Sequence, residues 1–226
     1  MKNCESILLK CPSDIHKEFF DYAFRFFNEN ECKGLLKGSV CENTAHKFSD
    51  IDMIIKGMDK DTARKFIYGY GEPALISRTE RPAGIIIVIY SNGLCLDLDF
   101  REKITEDEIE KADVVGKGFD REDIAKDLCR HENILDIEDS DEWVKIQRLF
   151  HRSLIKWIGD KKESGYGILR EIYGFMQDKA VDLPALSGNY LSDFRSILNI
   201  FRDHCSIDIN YYRVIESLLC LVKEKR

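Results

Sequence analysis

The sequence predicts an α+β fold in which a mixed sheet with flanking helices is followed by an all-α helical bundle. Up to about residue 130, short apolar runs of strand length alternate with amphipathic segments of helical period. Beyond residue 142, every apolar stripe follows the helical period. Mixed elements followed by helices alone are typical of an α+β domain joined to an α domain. We therefore expect domains at residues 1–135 and 140–226.

Three segments of the first domain are predicted to be helical. Over residues 14–28, apolar side chains recur close to every 3.6 residues, and Ser13 precedes them as an N-cap. Residues 60–68 and 120–130 are also predicted to be helices.

Strands are expected where short apolar runs are bounded by turn residues. Asn92-Gly93 lies between two such runs and favours a hairpin, because glycine and asparagine accept positive φ. Residues 72–83 are expected to be irregular. The predicted strands cover residues 34–37, 49–55, 84–90 and 94–100.

The helical domain is predicted from four apolar stripes. A segment rich in acids, residues 132–142, precedes them and is expected to be a solvated boundary. Four amphipathic stripes are typical of a helical bundle. The stripes cover residues 143–157, 168–176, 191–201 and 211–222.

Composition limits the function classes. The 226 residues are 44% apolar and 33% charged, as in ordinary globular proteins. A net charge of −7 argues against a nucleic-acid partner, which is usually bound by a basic surface. The eight cysteines form no Cys-x-x-Cys pair, so neither a zinc site nor a disulfide framework is expected. Free thiols, no signal-peptide pattern and no membrane-length apolar run predict a cytoplasmic protein.

The most informative block is Gly38-Ser39, ten intervening residues, and then Asp50-Ile51-Asp52. Residues two apart on a strand point to the same face, so Asp50 and Asp52 would project together, about 7 Å apart along the backbone. Carboxylates so placed can converge on hard cations such as Mg²⁺, which prefers oxygen ligands. Glycine allows the backbone to approach a phosphate closely, and serine supplies a hydroxyl donor.

The second hairpin strand repeats this pattern. Leu94, Leu96, Leu98 and Phe100 occupy one face of the strand, and Cys95, Asp97 and Asp99 the other. Alternation cannot separate Asp97 from Asp99, and a solvent-exposed sheet face would also account for both acidic strands. A third Asp-x-Asp pair, 139/141, lies in the acid-rich boundary and is expected to be solvated.

Together these residues resemble the signature of the nucleotidyltransferase (polymerase-beta-like) superfamily: Gly-Ser, a gap, Asp-apolar-Asp, and a third acid in a later apolar strand. The hairpin Ile89-Tyr-Ser-Asn-Gly-Leu-Cys-Leu-Asp-Leu98 is similar to that of the bacterial aminoglycoside adenylyltransferases. Leu94 and Cys95 depart from that subfamily, which has arginine before the Ile-Asp-Leu. The motifs cover about residues 34–118, and the remainder is similar only in architecture.

This resemblance implies a nucleotidyltransferase-type fold and an adenylyltransferase-like activity. Asp50, Asp52 and Asp97 would hold magnesium, with two ions expected, and Gly38 and Ser39 would bind the triphosphate. Asp97 is selected over Asp99 because the family hairpin places its acid four residues after the glycine. Asp99 would then be peripheral, either near the sheet edge or paired with Arg101 or Lys103. Lys117 could contact phosphate, but a solvated loop lysine is the simpler interpretation.

The expected reaction transfers a nucleoside monophosphate from an NTP, ATP being favoured, to a hydroxyl of a small molecule such as an aminoglycoside. The helical domain would bind this acceptor. The alternative is a protein-nucleotidylating or antitoxin-type module of the same fold. The segment after Gly38-Ser39 contains no arginine, which favours the small-molecule acceptor. The sequence gives neither the acceptor nor the oligomeric state.

Overall fold

The computed structural model describes residues 2–80, 82–127, 129–131, 134–135, 137 and 142–224. Contacts divide the chain into two compact units, residues 1–138 and 139–226. Most of the acid-rich segment predicted as a boundary lies outside the described residues. Its acids outside the description are Glu132, Asp136, Glu138, Asp139 and Asp141.

Seven strands, counted over the described residues, form one mixed sheet in the first unit. They are β1 (Lys33–Lys37), β2 (Ile51–Lys56), β3 (Pro73–Glu80), β4 (Ala83–Tyr90), β5 (Cys95–Lys103), β6 (Asp113–Gly116) and β7 (Cys129–Arg130). Their order is β3-β4-β5-β2-β1-β6, and β7 pairs with the end of β5. Only β2 and β5 run parallel among these pairs. The chain is therefore α+β, with a mixed sheet.

The first unit has helices on both faces of this sheet. Asp59 begins the fourth helix by accepting a hydrogen bond from the Thr62 amide, 2.8 Å away. The helices are α1 (Lys2–Lys10), α2 (Asp14–Glu29), α3 (Gly38–Cys41), α4 (Lys60–Tyr70) and α5 (Glu106–Glu110), with a 3₁₀ turn at Arg121–Asp123. Of these, α2 and α4 lie on one face of the sheet and α5 on the other.

The two faces of the sheet are covered differently. One face packs against the aromatic residues of α2 and α4 in the main core, which contains Leu94, Leu96, Leu98 and Phe100. The predicted alternation of β5 is thereby confirmed. The opposite face has a smaller apolar cluster around Leu35, Ile54 and Ile104. Asp52, Asp97 and Asp99 belong to that second face, because they alternate with core residues.

Two predictions about the first unit are wrong. Residues 72–83 are not irregular, since β3 occupies Pro73–Glu80 and pairs with β4. Register shifts at both ends of this pair interrupt the two-residue period that would have revealed the strand. Residues 120–130 are not a helix either. The described residues of this range contain the 3₁₀ turn and β7, and β7 is held by its pairing with β5.

The second unit contains four helices within the described residues, and each predicted stripe lies in one of them. Phe150 of the first of these helices packs edge to face against Phe194 and Phe201 of the third. The helices are α6 (Glu142–Ile158), α7 (Lys162–Asp178), α8 (Tyr190–His204) and α9 (Ile209–Glu224). Within the described part of the chain, no helix combines the length and apolarity that crossing a membrane requires.

Candidate metal centre

Three carboxylates converge at one end of the second sheet face. Asp50, Asp52 and Asp97 each place a carboxylate oxygen within 4.8 Å of the other two, and all three are half-buried. Asp52 and Asp97 are direct neighbours in the parallel pair β2–β5, which explains their proximity. Among the described residues, this is the one group of three or more side chains that could hold a metal ion.

Asp50 joins the cluster from outside the sheet. The strand expected over residues 49–55 begins at Ile51, so Asp50 belongs to the preceding loop. Its position therefore depends on the contacts of that loop as well as on strand alternation.

Gly38 is fitted closely against the cluster. It follows β1 with φ of +65°, a conformation that favours glycine. A Cβ atom at this position would lie 2.1 Å from Oδ2 of Asp52. Ser39 follows in α3, half-buried, and its carbonyl oxygen accepts a hydrogen bond from the Thr44 amide, 2.9 Å away. Gly38-Ser39 thus lies beside the carboxylates, and the glycine leaves the room that Asp52 occupies.

A cavity of about 250 Å³ opens beside the cluster. Both acidic strands and the end of β1 contribute to it. It is lined by Lys37, Gly38, Asp52, Met53, Ile54, Ile85, Asp97 and Asp99.

Lys37 is the lining residue that sequence reasoning missed. It is the cross-strand neighbour of Asp52 in the β1–β2 pair, so both project to the same face. Its Nζ lies 3.7 Å from Oε1 of Glu108, and its side chain is 40% exposed. Because Leu36 lies in the main core, strand alternation predicts that Lys37 points to the opposite face of the sheet. Only the antiparallel register of β1 with β2 shows that it lies beside Asp52 on that face.

Asp99 lies two residues beyond Asp97 but has different surroundings. Arg101 contacts its Oδ2 at 2.5 Å, and Arg130 contacts its Oδ1 at 2.9 Å and its Oδ2 at 3.1 Å. Asp99 is only 7% exposed. A position near a sheet edge, one of the alternatives for Asp99, is wrong, because β5 lies between β4 and β2. The alternative of a pair with Arg101 is confirmed.

Arg101 links Asp99 to Glu108. Its NH1 donates to both carboxylate oxygens of Glu108, at 2.8 and 2.9 Å. Burial would raise the pKa of Glu108, but hydrogen bonds from Thr105 and the charge of Arg101 lower it below its usual range. Burial would lower the pKa of Arg101, yet Asp99 and Glu108 raise it. Arg101 is therefore positively charged, and the carboxylates of Asp99 and Glu108 balance its charge.

A row of basic residues crosses the other end of the same face. Lys33, Lys56, Arg101 and Arg130 are successive neighbours across β1, β2, β5 and β7. Asp123 contacts Lys33 at 2.6 Å and Lys56 at 2.8 Å. Burial would raise the pKa of Asp123, but these hydrogen bonds hold it well below its usual range. The charges of this row are thus matched by Asp99 on β5 and by acids from the segment that follows β5.

Lys117, the loop lysine considered for phosphate binding, lies far from the acid cluster. It follows Gly116, which pairs with Lys33 at the opposite end of β1 from Lys37. Its Nζ contacts Oε1 of Glu31 at 2.7 Å, and its side chain is 49% exposed. The solvated interpretation therefore agrees with its surroundings.

The donor set fits a hard divalent cation. Three carboxylates supply oxygen ligands, which Mg²⁺ and Mn²⁺ prefer over sulfur and imidazole. Like charges this close repel one another, and a bound cation would relieve that repulsion. No protein-family model matches the chain, and no curated protein has significant similarity to it.

Proposed function

We propose that this protein is a metal-dependent nucleotidyltransferase that transfers a nucleoside monophosphate from an NTP, preferably ATP, to a hydroxyl of a small molecule. The observation that carries the proposal is the convergence of Asp50, Asp52 and Asp97 beside Gly38-Ser39. The linkage of β1, the Gly-Ser turn and β2 supports a nucleotidyltransferase-type fold, and the helices beyond residue 142 support a helical acceptor-binding domain.

Asp50, Asp52 and Asp97 would hold the metal, and two ions are expected when a triphosphate supplies further oxygen ligands. When bound, Mg²⁺ would orient the triphosphate and neutralise charge on the leaving pyrophosphate. Asp52 and Asp97 need no rearrangement of the sheet to act together, because strand pairing already aligns them.

Other residues of the cavity would bind and orient the substrate. Lys37 presents a positive charge beside Asp52, which suits contact with a phosphate oxygen. Ser39 can donate its hydroxyl to the triphosphate, and Gly38 permits close approach. Asp97 could accept the proton of the attacking hydroxyl, whose oxygen bonds to the α-phosphorus as pyrophosphate leaves.

The decisive experiment offers α-labelled ATP or GTP, in Mg²⁺, to a panel of hydroxylated small molecules that includes aminoglycosides. Label on a small molecule, lost in Asp52→Asn and in excess chelator, is the expected result. Label on a protein would favour the protein-modifying alternative. Equal NTP affinity with and without chelator would contradict the metal-dependent mechanism. Lys117→Met serves as the matched surface control.

A further inference from the structure

One ligand of the proposed metal site has no strand pairing to hold it. The pairing of β2 with β5 begins at Ile51, and the pairing of β2 with β1 reaches only as far as Asp52. Asp50 precedes both, so the loop of residues 44–49 determines where its carboxylate lies. Contacts that fix this loop therefore affect the geometry of the whole cluster.

His16 of α2 fixes the end of the loop next to Asp50. Its Nε2 lies 3.0 Å from the carbonyl oxygen of Ser49, and its Nδ1 lies 2.7 Å from the hydroxyl of Ser13. A carbonyl oxygen only accepts, so Nε2 carries the proton and donates. His16 is 2% exposed and Ser49 is 6% exposed, which shields this hydrogen bond from water.

The remainder of the loop is closed by its own hydrogen bonds. The His46 amide donates to Oγ of Ser49 at 2.9 Å, and the Ser49 amide donates to the His46 carbonyl at 2.8 Å. The Thr44 amide donates to the carbonyl of Ser39, so the other end of the loop is tied to the Gly-Ser turn. The loop thus spans two parts of the site and is anchored to the core helix through His16.

We propose that His16 is a positioning residue for the metal centre, acting through its hydrogen bond to Ser49 to hold Asp50 within reach of Asp52 and Asp97. The inference rests on the proposed metal-dependent function. Residues that orient metal ligands from outside the coordination sphere typically change metal affinity by about 10- to 100-fold when replaced. The helix α2 that carries His16 is packed into the main core, so it supplies a rigid support.

The test measures Mn²⁺ affinity by electron paramagnetic resonance in His16→Leu and His16→Gln. Leucine fills much of the space without a donor, and we expect a loss of about 10-fold or more. Glutamine keeps an amide donor near the position of Nε2, and we expect it to restore affinity to within about 3-fold of the wild type, since the bond to Ser49 is retained. Thermal unfolding establishes that each variant is folded at the temperature used.

A matched control separates positioning from general destabilisation. Phe20 lies on the same helix, and its ring packs against Phe19 and Phe24. Phe20→Leu should lower stability while leaving Mn²⁺ affinity unchanged. If His16→Leu is too unstable to study, the test depends on His16→Gln. A folded His16→Gln protein with weakened Mn²⁺ affinity would contradict the inference.

The outcomes distinguish this inference from the proposed function. Weakened Mn²⁺ binding in His16→Leu with rescue by glutamine supports the inference, even if no nucleotide transfer is found for the wild type. Wild-type affinity in His16→Leu, or an equal loss in Phe20→Leu, overturns the inference and leaves the proposed function standing. A wild-type protein that binds no Mn²⁺ overturns both.

Discussion

The two ends of one sheet face use charge in opposite ways. At one end, Asp50, Asp52 and Asp97 bring three like charges within 4.8 Å. At the other end, the row from Lys33 to Arg130 is matched by acids on β5, α5 and the 3₁₀ turn. Both ends are built on the same strands, and β2 and β5 contribute to each.

This difference separates a binding function from a stabilising one. Opposite charges that are buried and hydrogen-bonded together hold the segment after β5 against the sheet, and breaking one such pair is costly. Clustered like charges repel one another, and a bound cation would relieve that repulsion. We therefore expect substitutions at the acidic end to change activity and those at the basic end to change stability.

The largest expected effect is at Asp97. If the proposed function holds, Asp97→Asn should reduce nucleotide transfer by about 10³-fold or more, because it would remove a proposed metal ligand and proton acceptor from the reacting centre. Without metal, the variant should stay folded, because Asp97 is only half-buried and asparagine has nearly the same size and shape. Steady-state kinetics and urea denaturation in chelator check both expectations, and a variant that unfolds would contradict the comparison.

Asp99→Asn should instead reduce stability strongly and nucleotide transfer only weakly. It leaves the buried Arg101 and the neighbouring Arg130 without their shared carboxylate, so we expect a loss of about 3 kcal/mol of stability. Transfer measured on the folded protein should fall far less than in Asp97→Asn. If transfer falls further in Asp99→Asn, Asp99 is the third ligand and the separation of the two ends is wrong.

Gly38→Ala tests the close approach of the Gly-Ser turn to Asp52. The added Cβ would displace the Asp52 carboxylate, and we expect about 10-fold weaker Mn²⁺ binding, comparable to the loss of an outer-shell contact. Gly93→Ala is the matched control, because Gly93 also has positive φ, +86°, but nothing lies within 4 Å of its added Cβ. Both variants should lose about 1–2 kcal/mol of stability from backbone strain. Equal Mn²⁺ affinities in the two variants would rule out the clash as a cause.

The basic end should govern stability in acid. The folded-state pKa of Asp123 is depressed, so its contribution is complete above the unfolded value of about 4 and is lost as pH falls through the folded value. Asp123→Asn should lower the free energy of unfolding by about 2 kcal/mol at pH 7 and flatten its decline below pH 5. Urea denaturation between pH 7 and pH 3 measures this. Asp14→Asn, at an exposed pair with Lys17, should change stability by less than about 0.5 kcal/mol.

The smallest expected effect is a difference in KM between substitutions of Lys37 and Lys117. Lys37→Met should raise KM for the NTP by about 10-fold, which corresponds to the loss of one charged phosphate contact. Its stability should change little, because the contact with Glu108 is long and partly exposed. Lys117→Met should leave KM unchanged. Similar KM values for the two variants would show that proximity to Asp52 has no part in substrate binding.

The sequence by itself determined the local order of the chain. The alternation in β5 separated Leu96 and Leu98 from Asp97 and Asp99, and core packing confirms that division. The stripes beyond residue 142 correspond to helices for the same reason: which face of an element is apolar depends on residues close together in the chain. Where bulges interrupt the period, as in β3, the sequence predicted no strand.

Only the tertiary structure decided which residues meet. Asp97 and Asp99 are equivalent by alternation, and they differ because the register of β5 places Asp97 beside Asp52 while Arg130, from a later strand, reaches Asp99. Lys37 and His16 gain their positions in the same way, through pairing with β2 and packing of α2. Register and packing join residues far apart in the chain, so their effects cannot be derived from a local pattern of side chains.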